Sequence, residues 1–255
     1  LIDKKMSALK PNLGINYKLT PALRFFANYS ESYFVPQSEA TATVAQGTYK
    51  AEVANGYDYG FKGALLNDRL NFTVSGFYAI RENVLVTDLE ETPPGSGNYV
   101  TVSRRDGNQL VRGFELDLNW RATDTLSVGG SWGHIYSIYT DFGAAFPFAV
   151  GRRVQGISPQ NGGAYAKWAP TTGGLKGFSA NIGVTHVAST PTEAPSAGDT
   201  YATLAGGQRV VTRTTYQWRL RVPAYTLWNL GVRYRLPTRS TRYDHTFAIN
   251  VNNLF

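Results

Sequence analysis

The sequence predicts an all-β protein: an antiparallel up-and-down transmembrane β-barrel, here a partial barrel of about ten strands. Three observations predict it. Apolar and small polar residues alternate with period two, the pattern of strands with one greasy face. The arms are long for a soluble sheet, where strands usually run ~5–6 residues, and suit a bilayer, where a tilted strand needs ~9–11. The connections alternate strictly between short and long, as expected of short periplasmic turns and long outer loops.

The clearest unit is the hairpin from Leu110 to Tyr136. Phe114, Leu116, Leu118 and Trp120 fall on one face of its first arm, and Gly113, Glu115, Asp117 and Asn119 on the other. In the second arm Leu126, Val128 and Trp132 continue the apolar face, against Ser127, Gly129, Ser131 and Gly133. The polar stretch Arg121 to Thr125 joins them.

The remaining elements repeat this unit. Leu13, Ile15, Tyr17 and Leu19 alternate with Asn16 and Lys18 before a turn at Thr20-Pro21-Ala22. Leu23, Phe25, Ala27 and Tyr29 then return against Arg24, Phe26, Asn28 and Ser30. After a long connection from Phe34 to Ala51, Tyr57, Tyr59, Phe61 and Leu65 form the next apolar face. Asn67-Asp68-Arg69 turns the chain, and Leu70, Phe72, Val74, Tyr78 and Ile80 come back. A second long connection is expected from about Thr87 to Asn98, a third from about Thr140 to Ser158, and a fourth from about Val187 to Val222. Between them lie strands over Gly163–Trp168 and Phe178–His186, and the last pair runs over Tyr225–Leu236 and His245–Val251. Aromatics near strand ends (Tyr29, Trp120, Tyr136, Trp168 and Trp228) fit interfacial girdles.

Composition sets limits. Hydrophobic residues are 42% of the 255, and no run reaches the ~18 apolar residues of a transmembrane helix. A barrel strand gives only alternate residues to lipid, so its mean hydropathy stays low. With no cysteine, disulfide scaffolds, zinc–thiolate sites and cysteine nucleophiles are excluded. The net charge of +7 is uneven: residues 1–127 carry 13 Lys and Arg against 14 Asp and Glu, and residues 128–255 carry 12 against 4. The basic half suits an anionic lipid, an anionic ligand or nucleic acid.

Several segments then resemble one family. Pro11 to Tyr17 followed by Tyr29 to Pro36 is similar to a strand pair of TonB-dependent outer-membrane receptors. Asn55-Gly56-Tyr57-Asp58-Tyr59-Gly60-Phe61-Lys62 resembles that family's YE-G-K strand, with Asp for Glu. Val111-Arg112-Gly113-Phe114-Glu115-Leu116 is similar to its RG-E-E strand, Pro223-Ala224-Tyr225-Thr226 to its PAYT strand start, and Asn250 to Phe255 to its NVNNLF ending. The siderophore-receptor branch looks most similar. The resemblance implies a barrel of twenty-two strands around an N-terminal plug, and TonB-driven uptake of a ferric siderophore across the bacterial outer membrane. It implies that residues 1–255 form one barrel domain of a longer chain, with the plug, the TonB box and the last strands lying outside it.

The resemblance gives the basic connections a meaning. Arg152 and Arg153 fall in one, and Arg209, Arg213, Arg219 and Arg221 in another, with Tyr201, Tyr216 and Trp218 among the second set. Guanidinium forks pair with carboxylates and phosphates. Two readings stand: capture of an anionic ferric chelate at the barrel mouth, and contact with lipopolysaccharide phosphates in the outer leaflet. Glu115, Asp117, Arg233 and Arg235 face the expected lumen, where they line the path or meet the plug. The expected partners are a ferric siderophore, the TonB complex through the N-terminal part, and outer-membrane lipid and lipopolysaccharide, with no nucleic acid. No resident cofactor or metal site is expected; iron enters only within the siderophore.

No enzyme is expected. Gly129-Gly130-Ser131-Trp132-Gly133 matches G-x-S-x-G, but that motif needs a strand-to-helix elbow. His134, His186 and His245 lack metal-ligand spacing, and Asp88, Glu90 and Glu91 read as a solvated loop rather than a calcium site. The functional alternatives are a passive porin-like barrel and a soluble β-sheet ligand-binding protein.

Overall fold

The computed structural model describes residues 9–34, 43–44, 51–91, 93, 95–97, 99–142, 149–192, 196–203, 209–217, 221–236 and 243–254. Ten strands make the wall: β1 (Asn12–Thr20), β2 (Leu23–Phe34), β4 (Glu52–Leu65), β5 (Leu70–Glu91), β6 (Tyr99–Arg121), β7 (Leu126–Phe142), β8 (Gln160–Trp168), β9 (Phe178–Val187), β14 (Tyr225–Arg235) and β15 (Thr246–Val251). Each is antiparallel to its neighbours, in that order. A two-residue strand, β3 (Thr43–Val44), lies parallel to β6. The last long connection holds β10 (Thr190–Pro191) paired with β13 (Arg221–Val222), and the hairpin β11 (Ser196–Thr203) with β12 (Arg209–Gln217).

The turns after β1, β4, β6 and β8 fall at one end. At 66–69 Leu66, Asn67 and Asp68 take φ of 56°, 56° and 61°, a left-handed run that lets β4 turn straight into β5. Arg69 then ties neighbouring turns together: its Nε donates to the Arg121 carbonyl at 3.1 Å and its Nη2 to Asp124 Oδ1 at 2.9 Å. Thr123 Oγ1 accepts the amides of Thr125 (3.2 Å) and Leu126 (2.9 Å), closing the next turn as a side-chain mimic of a backbone turn.

The register shows that one face is continuous across the wall. Tyr17, Phe25, Phe61, Val74, Leu116 and Trp132 stand opposite one another on successive strands. Two rows lower on the same face, Trp120, Val128, Ala166, Ile182, Leu230 and Val251 do the same. Cross-strand rings touch along this face: Tyr29 and Tyr57 at 4.9 Å between centroids, Phe114 and Trp132 at 5.1 Å, Phe25 and Phe61 at 5.5 Å. Yet these side chains are open: Ile15 is 58% exposed, Tyr17 60% and Ile249 70%. Among the described residues the buried apolar side chains are Tyr139, Ala149 and Val154, with Pro191, all near the long-loop end. An apolar face of this extent without a second layer is a lipid-facing surface. Along β7 it runs from Leu126 to Tyr136, about ten rises of ~3.3 Å, which a strand tilt of ~40° lowers to about 25 Å, the height of an outer-membrane apolar band.

The other face carries Asn71, Asn119, Gly129, Tyr165, Gly183 and Asn229 in one row, and Thr73, Asp117, Ser131, Gly163 and Thr185 in the next. Tyr165 Oη donates to Asn119 Oδ1 at 3.0 Å across β7, whose Gly129 leaves room for the ring. This is the lumenal face.

Two expectations need correction, and a third, the mid-strand place of Gly129 to Gly133, is met. The second long connection is short: β5 runs to Glu91 and β6 starts at Tyr99, so Asp88, Glu90 and Glu91 belong to a strand rather than a loop. These two strands outrun the membrane and project as a hairpin, which single-strand periodicity did not distinguish from loop. The fourth connection is not plain loop, since β10 to β13 lie within it. Gly129 to Gly133 lies in the middle of β7, with no helix following it among the described residues.

A side chain at Gly113 would collide with the His134 carbonyl and the Phe77 ring, whereas Gly174 has nothing within 4 Å. Gly113→Val is therefore expected to cost about 3 kcal/mol, and Gly174→Ala to be neutral. Urea unfolding of the detergent-solubilised intact protein, followed by tryptophan fluorescence, checks both.

Candidate functional site

The long-loop end of the lumenal face is where a ligand from outside would first meet the wall. Here β4, β5 and β6 rise above the apolar band. Two irregularities, around Asn83 in the β5–β6 ladder and at Asn108/Gln109 in the β6–β7 ladder, re-aim the chain. Asn83 sits at φ 59°, with its amide donating to Asn108 Oδ1 at 3.3 Å and its Nδ2 to the Ala51 carbonyl at 2.9 Å.

This geometry assembles a charged cluster. Glu52 Oε1 accepts from both Nε (2.9 Å) and Nη2 of Arg81. Arg81 Nη1 donates to Gln109 Oε1 at 3.1 Å. Arg105, only 8% exposed, places Nη1 3.9 Å from Glu52 Oε2 and 3.5 Å from the Asn83 carbonyl. One carboxylate on β4 thus anchors guanidinium groups from β5 and β6. Glu52 and Arg81 were invisible as a pair in the sequence, 29 residues apart. The available signal was Arg81 continuing the polar face beyond Ile80.

Beside the cluster a segment folds back onto β7. The Tyr139 amide donates to the Arg152 carbonyl at 2.9 Å, the Gly151 amide to the Tyr139 carbonyl at 2.8 Å, and the Val154 amide to the Ser137 carbonyl at 3.2 Å. Gly151, at φ 79°, makes the bend. The strap buries Ala149 and Val154 and leaves Arg152 exposed. Arg153 is half-buried and bridges to Ile138, a residue of the lipid-facing side. The two neighbouring arginines therefore do not share one surface.

Of the second expected set, Tyr201 lies on β11 opposite Val211, and Arg209, Arg213 and Tyr216 lie on β12 opposite Thr203, Thr200 and Ala197. One hairpin thus gathers four of these residues. Arg221 is exposed on β13, paired with Pro191. Trp218 and Arg219 lie outside the described residues.

Glu115, Asp117, Arg233 and Arg235 do share the lumenal face, as the register from β6 through β14 requires. Four strand spacings, about 19 Å, and at least six residues along the strands, about 20 Å, separate the acidic pair from the basic pair. Arg235 is tied at the short-turn end, its Nη2 2.6 Å from Asp244 Oδ2. His134 stacks with Trp132 on the lipid side and His186 meets Thr226 Oγ1 at 2.8 Å. Among the described residues no group of three His, Asp or Glu could hold a metal ion.

The sequence matches the family described as TonB dependent receptor-like, beta-barrel, over residues 2–254. It is 26% identical over 248 residues to the metal-pseudopaline receptor CntO of Pseudomonas aeruginosa, covering 97% of this chain and 29% of that protein. The chain thus spans less than a third of that relative's length. In fold it is similar to BauA, the ferric preacinetobactin receptor of Acinetobacter baumannii (TM-score 0.69, 19% identity, 96% of this chain and 32% of that one). It is likewise similar to the copper transporter OprC (TM-score 0.63, 15% identity, 96% and 33%).

Glu52→Ala is expected to destabilise the intact protein by about 1–3 kcal/mol, because Arg81 and the nearly buried Arg105 lose their shared carboxylate. Hydrogen exchange should rise in 51–54, 79–84 and 105–110 and stay unchanged in the turns at 66–69 and 122–125.

Proposed function

The chain belongs to the TonB-dependent receptor-like β-barrel family of the bacterial outer membrane, and from that premise we propose that it forms the wall of a receptor taking up a ferric siderophore. The observation that carries the proposal is the similarity, across 97% of the chain, to a receptor named for a metal chelate. The family consists of receptors and transporters, so the protein is not an enzyme.

In this reading residues 1–255 are one barrel domain. The rest of the receptor supplies a plug, further strands and the contact with TonB, whose energy releases the cargo. Arg152, Arg221 and the β11–β12 hairpin with Tyr201, Arg209, Arg213 and Tyr216 meet the chelate first, and Trp218 contributes from the same connection. Guanidinium groups suit its carboxylate, hydroxamate or catecholate oxygens. Arg153, on the lipid-facing side, suits lipopolysaccharide phosphate instead. Glu115, Asp117, Arg233 and Arg235 line the passage or meet the plug. The receptor needs no resident cofactor, since iron arrives inside the ligand.

A second reading, uptake of a non-ferric metal chelate, is favoured by the ligands for which two similar proteins are named, metal-pseudopaline and copper. The passive porin-like barrel is the weaker alternative given the family. The soluble β-sheet binder is the weakest, because it leaves the whole apolar face uncovered.

Deleting the gene should abolish growth on one or more ferric chelates as sole iron source, and restoring it should recover growth only while TonB is present. Growth restored without TonB would favour the porin-like reading. Uptake of a copper, nickel or zinc chelate with no ferric chelate transported would establish the second reading. Arg152→Ala with Arg221→Ala is expected to weaken chelate binding by about tenfold, ~1.4 kcal/mol, measured by fluorescence quenching on the purified receptor.

A further inference from the structure

The charged cluster at the long-loop end leaves one donor group incompletely used. A guanidinium carries five N–H donors in one plane. Arg81 Nε and Nη2 both donate to Glu52 Oε1, and Nη1 donates to Gln109 Oε1 at 3.1 Å. Among the described residues two N–H groups therefore remain, one on each terminal nitrogen, and the side chain is 43% exposed. The second oxygen of Glu52, Oε2, is turned to Arg105 Nη1 at 3.9 Å. Contacts on two sides hold the guanidinium plane, so its open edge keeps one direction before any ligand arrives.

The register shows what surrounds that edge. Ser32, Ala54, Arg81, Gln109 and Tyr139 stand opposite one another on β2, β4, β5, β6 and β7, all on the lumenal face. One row nearer the band, Ser30, Gly56 and Ala79 do the same on β2, β4 and β5. Small side chains thus leave space beside Arg81 over β2 and β4. In the other direction the row ends at Arg152, whose carbonyl accepts the Tyr139 amide at 2.9 Å. Three strand spacings, about 14 Å, part Arg81 from Arg152.

We propose that Arg81 docks a carboxylate that a metal chelate keeps outside its metal's coordination shell, and that the receptor's cargo is a chelate with such a free carboxylate. Oxygens bound to the metal give up lone-pair density to it and are weak acceptors. An uncoordinated carboxylate keeps its full charge and two coplanar oxygens, which match two N–H groups of a fixed guanidinium. A donor already held by Glu52 and Gln109 loses little freedom on binding, so the contact discriminates between ligands at small entropic cost. The inference rests on the receptor reading in taking a metal chelate as cargo, and it narrows that reading to one ligand class.

Fluorescence quenching on the intact, purified receptor tests it with paired ferric chelates. The panel holds α-hydroxycarboxylate, hydroxamate and catecholate chelates that carry a free carboxylate, each beside a copy with that carboxylate capped as its methyl amide. At least one free form is expected to bind, and its capped copy to bind about tenfold more weakly. Arg81→Lys keeps the positive charge beside Glu52 but has no planar fork. In this variant the free form is expected to weaken about tenfold and the capped copy to stay unchanged, so that the two become equal. An Arg81 that only braces the wall would lower both forms alike. Equal loss of both forms, capped copies that bind the parent as tightly as free forms, or no free form bound would overturn the proposal. If Arg81→Lys does not fold, Ala54→Glu decides: it sets an internal carboxylate directly opposite Arg81, and is expected to erase the preference for the free form. A preference that persists there contradicts the proposal. TonB-dependent growth only on ferric chelates without a free carboxylate would overturn the inference and leave the uptake reading standing. Binding of free forms without uptake would do the reverse.

Discussion

In hydrocarbon no water is present to satisfy a backbone amide or carbonyl, and each one left unpaired costs several kcal/mol. The fold answers with one unbroken hydrogen-bond ladder through ten strands, from β1 to β15. Everything else depends on that ladder. It fixes which residues stand opposite one another, and so it sorts Tyr17, Phe25, Phe61, Val74, Leu116 and Trp132 to lipid and Thr73, Asp117, Ser131 and Thr185 to the lumen. A slip of one residue in any pair would exchange the two faces of that strand. Glycines such as Gly113 are the tolerance of the ladder, since a side chain there meets backbone.

The two ends of the wall are built differently for the same reason. At the short-turn end, side chains close the turns directly, with Arg69 bridging two of them. At the other end the strands leave the bilayer, water returns, and the ladder can be bent. The irregularities near Asn83 and Asn108 are tolerated there, and they place Glu52, Arg81, Gln109 and Arg105 in one cluster. A receptor mouth needs a stiff base beneath its connections, and an ion cluster tying three strands above the band supplies one.

Much of this was legible in the sequence. Period-two alternation is a local property, so the ten wall strands, the short turns and the lipid face could be read directly from residues such as Phe114, Leu116, Leu118 and Trp120. Strand ends above the band were not legible, because there the period of two stops, with Val84, Leu85 and Val86 consecutive on β5 and Ser103 to Asp106 all polar on β6, although pairing continues to Glu91 and Tyr99. The Glu52 cluster was missed for a different reason. It depends on register between residues distant in the chain, and a single sequence does not display register. The opposite orientations of Arg152 and Arg153 follow from the strap on β7, which depends on the same kind of long-range pairing.

The central claim is the assignment of faces, and spin-label accessibility tests it most directly. The chain has no cysteine, so single cysteines at 114 to 120 introduce labels one at a time into the liposome-reconstituted protein. The account predicts that labels at 114, 116, 118 and 120 are reached by oxygen dissolved in the bilayer. Labels at 115, 117 and 119 should respond instead to a water-soluble relaxation agent or be shielded from both. A reversed phase, or accessibility with no period of two, would contradict the barrel wall described here.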